Sequence, residues 1–301
     1  MWKNENYRAN LVKIIMIISI ASGKGGTGKT TISTSLALSI GSGVQFLDCD
    51  AEEPNAHIFL KPDIKEIKKV FIKVPEVDRQ KCTYCGKCAE VCAFNAMAVI
   101  SPANGREGSI LIFEILCHGC GACSFFCPQK AIKEKDREIG VVEIGDANSI
   151  EFIHGRLNIG EAMAPPLIRQ IKSYINPVKT VIIDAPPGTS CPVVSSVKGS
   201  DFCILVTEPT PFGLNDLILA VEVLRKLEIP FGIVINRSDL GDKKTYDYSK
   251  KEKIPILMEI PFRKEIASAY SKGIPIIEAF PEYKESFQEL FNRIKKTELG
   301  L

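Results

Sequence analysis

Gly23-Lys24-Gly25-Gly26-Thr27-Gly28-Lys29-Thr30 is the stretch from which the rest of the chain is read. It satisfies G-x-x-x-x-G-K-[ST] in full, follows an isoleucine-rich apolar run (residues 14–20) and opens a helical stretch (residues 30–40). Glycines let successive backbone N–H groups turn inward around phosphate oxygens, and the helix start adds partial positive charge. Lys29 supplies a mobile charge to the β- and γ-phosphates. Thr30 offers its hydroxyl to Mg²⁺, with Thr31 next to it at the same junction.

Working outward, short runs rich in β-branched residues recur at 44–47, 180–183, 202–206 and 231–235. Helical patterns at 30–40, 167–174, 214–227 and 283–296 lie between or after them. This alternation predicts an α/β fold, a doubly wound parallel sheet of the P-loop NTPase kind covered on both faces. In the last helix Phe287, Leu290, Phe291 and Ile294 share one face, which suits packing on the sheet, with a membrane-surface helix as the alternative. The early apolar run has seven residues, well short of the roughly 20 that span a bilayer, so no stable membrane insertion is expected. Residues 1–15 receive no function, and Met16 offers a second start. Lys plus Arg is 38 against 36 for Asp plus Glu, a near-balance that argues against bulk nucleic acid as a partner.

The alternation breaks between residues 61 and 144. A lysine-rich run (KPDIKEIKKVFIKVP) leads in and a second charged run (KEKDREIG) leads out. The expected plan is one discontinuous domain, residues 1–60 and 150–301, with residues 61–149 inserted in it. Four short alternating segments, at 73–77, 96–100, 110–115 and 140–144, suit small antiparallel strands within the insert.

Eight of the eleven cysteines fall in this insert, as two C-x₂-C-x₂-C-x₃-C runs offset by 35 residues; Gly86 and Gly121, and Ala96 and Ala131, repeat at the same offset. The odd total and the crowding speak against a secreted disulfide scaffold and place the chain in the cytoplasm. Each run is that of a bacterial ferredoxin with two [4Fe–4S] clusters, in which the fourth cysteine ligates the other cluster. Cys82, Cys85, Cys88 and Cys127 are therefore assigned to one cluster, and Cys117, Cys120, Cys123 and Cys92 to the second. Zinc is the main competitor, although zinc modules usually show two separated C-x₂-C pairs. Pro128 follows Cys127 but Ala93 follows Cys92, a departure expected to alter exposure near Cys92. His118 reads as a loop side chain near a cluster. Cys49 and Cys203 read as core residues.

The extra lysine at position 24 makes the phosphate loop resemble that of the MinD/Mrp/ParA ATPases and the nitrogenase iron protein. The resemblance extends over nearly the whole chain, as a MinD-type ATPase carrying an inserted two-cluster ferredoxin domain. It implies a homodimer that sandwiches ATP and Mg²⁺, with Lys24 reaching the partner's phosphates. Asp50 then falls where a carboxylate activates water, Asp184 where one holds Mg²⁺, and Asn236 where the base is contacted. Asn236-Arg237-Ser238-Asp239 also loosely resembles a guanine-reading motif, and Arg263 stands where relatives often carry Asp. Cys191, seven residues after Asp184, offers one thiolate per subunit at a dimer two-fold; a bridging metal contact and a helix-start packing cysteine are its two readings. The activity implied is Mg²⁺-dependent ATP hydrolysis coupled to electron transfer to a redox or metallocluster partner. A cluster-assembly scaffold or carrier is the alternative, and a MinD/ParA-type positioning ATPase a third.

Overall fold

Short apolar strands stack into the centre of a nine-stranded sheet, described here from a computed structural model that covers residues 16–299. The strands are β1 (Ile17–Ala21), β2 (Val44–Asp48), β3 (Asp63–Val77), β4 (Met97–Ile100), β5 (Ser109–Ile112), β6 (Ile132–Ala147), β7 (Ile150–Leu157), β8 (Thr180–Asp184), β9 (Phe202–Thr207), β10 (Phe231–Asn236) and β11 (Ile256–Ile260). Nine of these eleven form the main sheet, in the order β11-β10-β9-β1-β8-β2-β7-β6-β3, parallel from β11 to β7, while β6 and β3 add antiparallel at one edge. This is the α/β architecture expected from the alternation. Residues 14 and 15 of the first expected strand lie outside the described residues.

Both sheet faces are covered, which is why the central strands read as unbroken apolar runs. On one face Phe46, Phe152 and Ile182 pack with Ile32 and Leu36 of the helix Lys29–Ile40 and with Phe287, Leu290, Phe291 and Ile294 of the helix Glu282–Leu299. Those four C-terminal side chains are buried, so that face is spent on the core and is not available to a membrane surface. On the other face Leu47, Ile153 and Ile183 meet Leu167, Ile168 and Ile171 of the helix Ala164–Lys172. Among the described residues no helix is long and apolar enough to cross a membrane.

The two charged runs do more than open and close the insert. They are β3 and β6, strands of 15 and 16 residues that pair along their length and extend the main sheet. The expected short segments at 73–77 and 140–144 are parts of them. Val70, Ile72 and Val74 are buried along one face of β3, while lysines and acids pair across the strands on the other side. Lys73 meets Asp136 at 2.9 Å and Lys69 meets Glu138 at 2.8 Å. A half-solvated edge ribbon needs this alternation, and charged edges discourage pairing with other chains. Pro75 is tolerated because β3 is the sheet edge.

Between Val77 and Ile132, at the end of this ribbon, lie the two cysteine runs. The 35-residue repeat is visible in the backbone: the helices Lys87–Glu90 and Ala122–Phe125 follow Gly86 (φ 81°) and Gly121 (φ 72°), left-handed positions that favour glycine. β4 and β5 pair as a separate hairpin.

Candidate functional site

The phosphate loop joins β1 to the helix Lys29–Ile40, with Gly28 left-handed at the helix start (φ 97°). Lys29 and Thr30 are buried, and Gly25, Gly26, Gly28, Lys29, Thr30 and Thr31 line a cavity of about 400 Å³. A β-carbon on Gly28 would sit 2.6 Å from the Asn236 amide nitrogen, so glycine is needed there for space as well as for conformation. Gly23 and Lys24 stand outside the cavity. Gly23 packs on the Asp216 backbone, and Lys24 Nζ lies 3.4 Å from Glu208 of its own chain. Thr27 is buried and gives its carbonyl to Asn236.

Three carboxylates surround the phosphate end. Asp48 and Asp184 are register partners at the ends of β2 and β8, both fully buried. Neither carboxylate oxygen of Asp184 is held in a well-formed hydrogen bond among the described residues, although the Thr30 and Ser33 hydroxyls lie close by. This suits a hydrated cation in the position that Thr30 also borders. Burial raises the Asp184 pKa, and the Lys29 charge and the two hydroxyls oppose the rise. Asp48 was missed by sequence reasoning, although it opens the same Asp48-Cys49-Asp50 segment. Its oxygens accept from the Asp50 N–H (3.0 Å) and the Ala56 N–H (3.1 Å), tying both ends of the loop that carries Asp50. Asp50 lines the cavity, and burial pushes its carboxyl up to about 7 against the pull of Lys29.

A pH dependence follows from Asp50. An acid whose folded pKa (about 7) exceeds its unfolded value (about 3.9) favours the protonated folded chain. Without nucleotide, the stability this group contributes is complete below about pH 4 and is lost as the pH rises through about 7. The fall in thermal midpoint across that window is expected to be shallower in Asp50→Asn than in the native chain, as calorimetry at matched pH values would show. Equal slopes would place Asp50 in solvent.

At the base end, Asn236 lines the cavity, but its amide is engaged. Nδ2 donates to Thr27 O at 2.9 Å and Oδ1 accepts from the Arg237 N–H, so it braces the phosphate loop. Asp239, the acid of the guanine-like motif, accepts from the Phe262 N–H at 2.6 Å and does not line the cavity. That disfavours guanine, whose reading needs a free carboxylate. Phe262, Ile266, Tyr270 and Ile276 form the apolar wall. Arg263 also borders the cavity and pairs with Glu282. These wall residues come from separate elements and carry no local signal.

The cysteines gather in two cavities. One is lined by Cys82, Cys85, Cys88 and Cys127, the other by Cys92, Cys117, Cys120 and Cys123, so each holds three cysteines of one run and the fourth of the other. Cys88 and Cys117 are buried, whereas Cys85 and Cys120 are exposed. The Ala96 and Ala131 N–H groups donate to Cys92 Sγ and Cys127 Sγ, both at 3.3 Å, which explains why a buried alanine repeats four residues after each fourth cysteine. The turn after Cys92 matches that after Cys127 despite Ala93 in place of proline: Asn95 (φ 51°) and Lys130 (φ 48°) are both left-handed. His118 stacks on Phe94 with ring centroids 3.5 Å apart beside the second cavity. Among the described residues no three His, Cys, Asp or Glu converge on a single metal ion. Cys191 is exposed at the start of the helix Cys191–Val197, away from both cavities, and Cys49 and Cys203 are buried as expected.

The sequence profile of the CobQ/CobB/MinD/ParA nucleotide binding domain matches residues 18–276. The chain belongs to this family. An uncharacterized protein of Methanocaldococcus jannaschii is 34% identical over 94% of this chain and 98% of its own length. An iron-sulfur cluster carrier protein of Pyrococcus horikoshii is 25% identical over 93% of this chain and 86% of its own. Among solved structures, the septum site-determining protein MinD of Pyrococcus horikoshii, complexed with Mg-ADP, aligns with a TM-score of 0.59 at 20% identity, covering 94% of this chain and 97% of that one. As a member of the CobQ/CobB/MinD/ParA family the chain is a nucleotide-binding protein with a cysteine-rich segment. Within that frame Glu208 is the second residue that sequence reasoning missed: its buried carboxylate also accepts from Arg237 at 2.7 Å, linking Lys24 to the nucleotide cavity.

Proposed function

We propose that this protein is a nucleotide-switched iron–sulfur ATPase, in which ATP + H₂O → ADP + phosphate in a homodimer governs electron transfer from two resident [4Fe–4S] clusters to a partner protein. The observation that carries the reading is the pair of four-cysteine cavities, with crossed membership, at the end of a ribbon that is part of the nucleotide-binding sheet. Cys82, Cys85, Cys88 and Cys127 would hold one cluster, and Cys92, Cys117, Cys120 and Cys123 the other. The convergence of four thiols in each cavity, with Cys88 and Cys117 buried, and the backbone N–H groups at Ala96 and Ala131 suit a sulfur-rich anion held permanently. The clusters supply one-electron storage; the chain supplies ligands, burial and N–H donors. Residues 61–149 are thereby the cluster-bearing insert, and residues 1–60 with 150–301 the ATPase.

At the phosphate site Lys29 and the loop N–H groups of residues 23–30 would hold the phosphates, Thr30 and Asp184 the Mg²⁺, and Asp50 would orient the attacking water. Lys24 is parked on Glu208 in the single chain, and its reach to a partner's phosphates requires leaving that carboxylate. Lys24→Ala is expected to abolish ATP-dependent dimer formation, measured by light scattering, while the monomer still binds ATP. Glu208→Gln, which frees the lysine, is expected to shift the dimer fraction upward at equal ATP. No change in either variant would remove Lys24 from the interface.

The reading is tested by redox titration of the anaerobic, cluster-loaded chain with and without a non-hydrolysable ATP analogue. Nucleotide-dependent cluster potentials support it, and identical potentials in both conditions overturn the coupling. A second reading, a cluster carrier, is favoured by the similarity to the iron-sulfur cluster carrier protein of Pyrococcus horikoshii and by the exposed thiol of Cys191. It requires transfer of iron and sulfide to an apo-protein that is lost in Cys191→Ser.

A further inference from the structure

The two cysteine cavities are not equivalent in their contact with the nucleotide site. Cys88 belongs to a small apolar cluster with Met97 and Ile110 of the β4–β5 hairpin and Ile132 at the far end of the ribbon, against which Cys127 and Cys123 also pack. Cys117 belongs instead to a continuous core that includes Leu47, Cys49 and Ala51 at the end of β2, Val70, Ile72 and Val74 of β3, and Ile139 and Val142 of β6, with Cys92 packed against it. One core therefore runs from the Asp50 loop to the second cavity and leaves the first outside.

A polar chain follows the same route. Ala51 O, next to Asp50, accepts from the Leu157 N–H at 3.0 Å, and the Asn158 N–H donates to Ile139 O at 2.9 Å. Three residues on, Glu161 is almost fully buried and pairs through both carboxylate oxygens with the two terminal nitrogens of Arg137 on β6. Glu161 also accepts from the Met163 N–H, so its position is fixed by the backbone of its own loop. Arg137 is the register partner of Ile72, against which the Cys117–Gly119 turn packs. The remaining N–H of Arg137, on Nε, is buried without a partner among the described residues.

We propose that Arg137 and Glu161 are positioning residues through which the Asp50–Ala51 loop sets the reduction potential of the cluster held by Cys92, Cys117, Cys120 and Cys123, and of that cluster alone. The inference rests on the reading given under Proposed function and adds to it which cluster responds and through which side chains. The physics is electrostatic. A cationic group near a cluster favours its reduced, more negative state, and a counter-ion beside that group cancels the effect. A shift of the Asp50–Ala51 loop reaches Leu157 through one hydrogen bond and displaces Glu161 relative to Arg137, changing the net charge felt at Cys117.

The test is an anaerobic redox titration of the full, cluster-loaded chain, followed by electron paramagnetic resonance, with and without a non-hydrolysable ATP analogue. In the native chain one of the two potentials is expected to move with nucleotide and the other to stay. Glu161→Gln, which leaves the arginine uncompensated, is expected to raise that one potential; Arg137→Gln is expected to lower it. Both should lose the nucleotide response, while Arg137→Lys keeps part of it. Shifts of opposite sign in one cluster are not produced by loosened packing, and unchanged iron and sulfide content verifies that the cavities are filled. If nucleotide moves a potential in the native chain and both variants keep that response, this inference is overturned and the coupling stands. If nucleotide moves neither potential in a native chain that hydrolyses ATP, the coupling itself fails and the inference with it.

Discussion

Lys29→Ala abolishes ATP hydrolysis and leaves the iron content unchanged: that is the expected result, and it separates the two sites in one chain. Lys29 is buried at the start of the helix Lys29–Ile40, and its charge opposes the rise that burial imposes on the pKa of both Asp50 and Asp184. Its removal takes away the one lysine that lines the cavity among the described residues and leaves Asp50 and Glu53 in the lining, with Asp184 buried behind it. Loss of one preorganised charge-stabilising donor costs about 10²–10³ in rate, and here the uncompensated acids add to that cost. The cysteine cavities share no lining residue with the nucleotide cavity, so about eight irons per chain should remain. Phosphate release and iron and sulfide assays on the same preparation check both halves. Iron lost with hydrolysis retained would reverse the assignment of the two sites.

What could be read from the sequence divides by the range of the interaction. The phosphate loop and both cysteine runs are local, since every group that matters lies within a dozen residues and the spacing itself carries the chemistry. Most central strands were legible because burial on both faces leaves few polar positions, Ser19, Gln45, Asp48 and Asp184 among them. β3 and β6 were read as charged runs at the ends of the insert, with only short strands at 73–77 and 140–144, because each alternates lysine and acid on its solvent side and the partner that makes it one long strand lies some 70 residues away. The same holds at the site. Asp48 has no motif of its own, and its role comes from the Asp50 and Ala56 N–H groups folding back on it. Glu208 and Arg137 gain meaning only from Lys24 and Glu161, which the fold brings to them. Asn236 was placed at the cavity by the family resemblance, yet its bond to Thr27 depends on the closeness of two loops 209 residues apart.

The crossed cysteine sets make the other large prediction, one about pairs of substitutions. In each run the fourth cysteine follows a short helix that starts at a left-handed glycine, and this turns it from its own three neighbours toward the opposite cavity. Cys92→Ser should therefore remove or degrade the cluster of the second run, although Cys92 lies in the first. Combined with Cys117→Ser it should cost no further cluster, because both substitutions strike one cavity. Combined with Cys82→Ser it should leave almost no iron, because each substitution empties a different cavity. Sequential ligation predicts the reverse: Cys92 with Cys82 would strike one cluster, and Cys92 with Cys117 both. Substitutions within one unit are non-additive and those in separate units add, so the iron and sulfide content of the two double variants decides between the arrangements without a measured potential. The Ala96 and Ala131 amides sharpen the comparison. They donate only to Cys92 and Cys127, so replacing either alanine by proline removes one N–H···S bond from the cavity of the other run. The cluster affected by Ala96→Pro should be the one lost in Cys117→Ser, and the one affected by Ala131→Pro the one lost in Cys82→Ser.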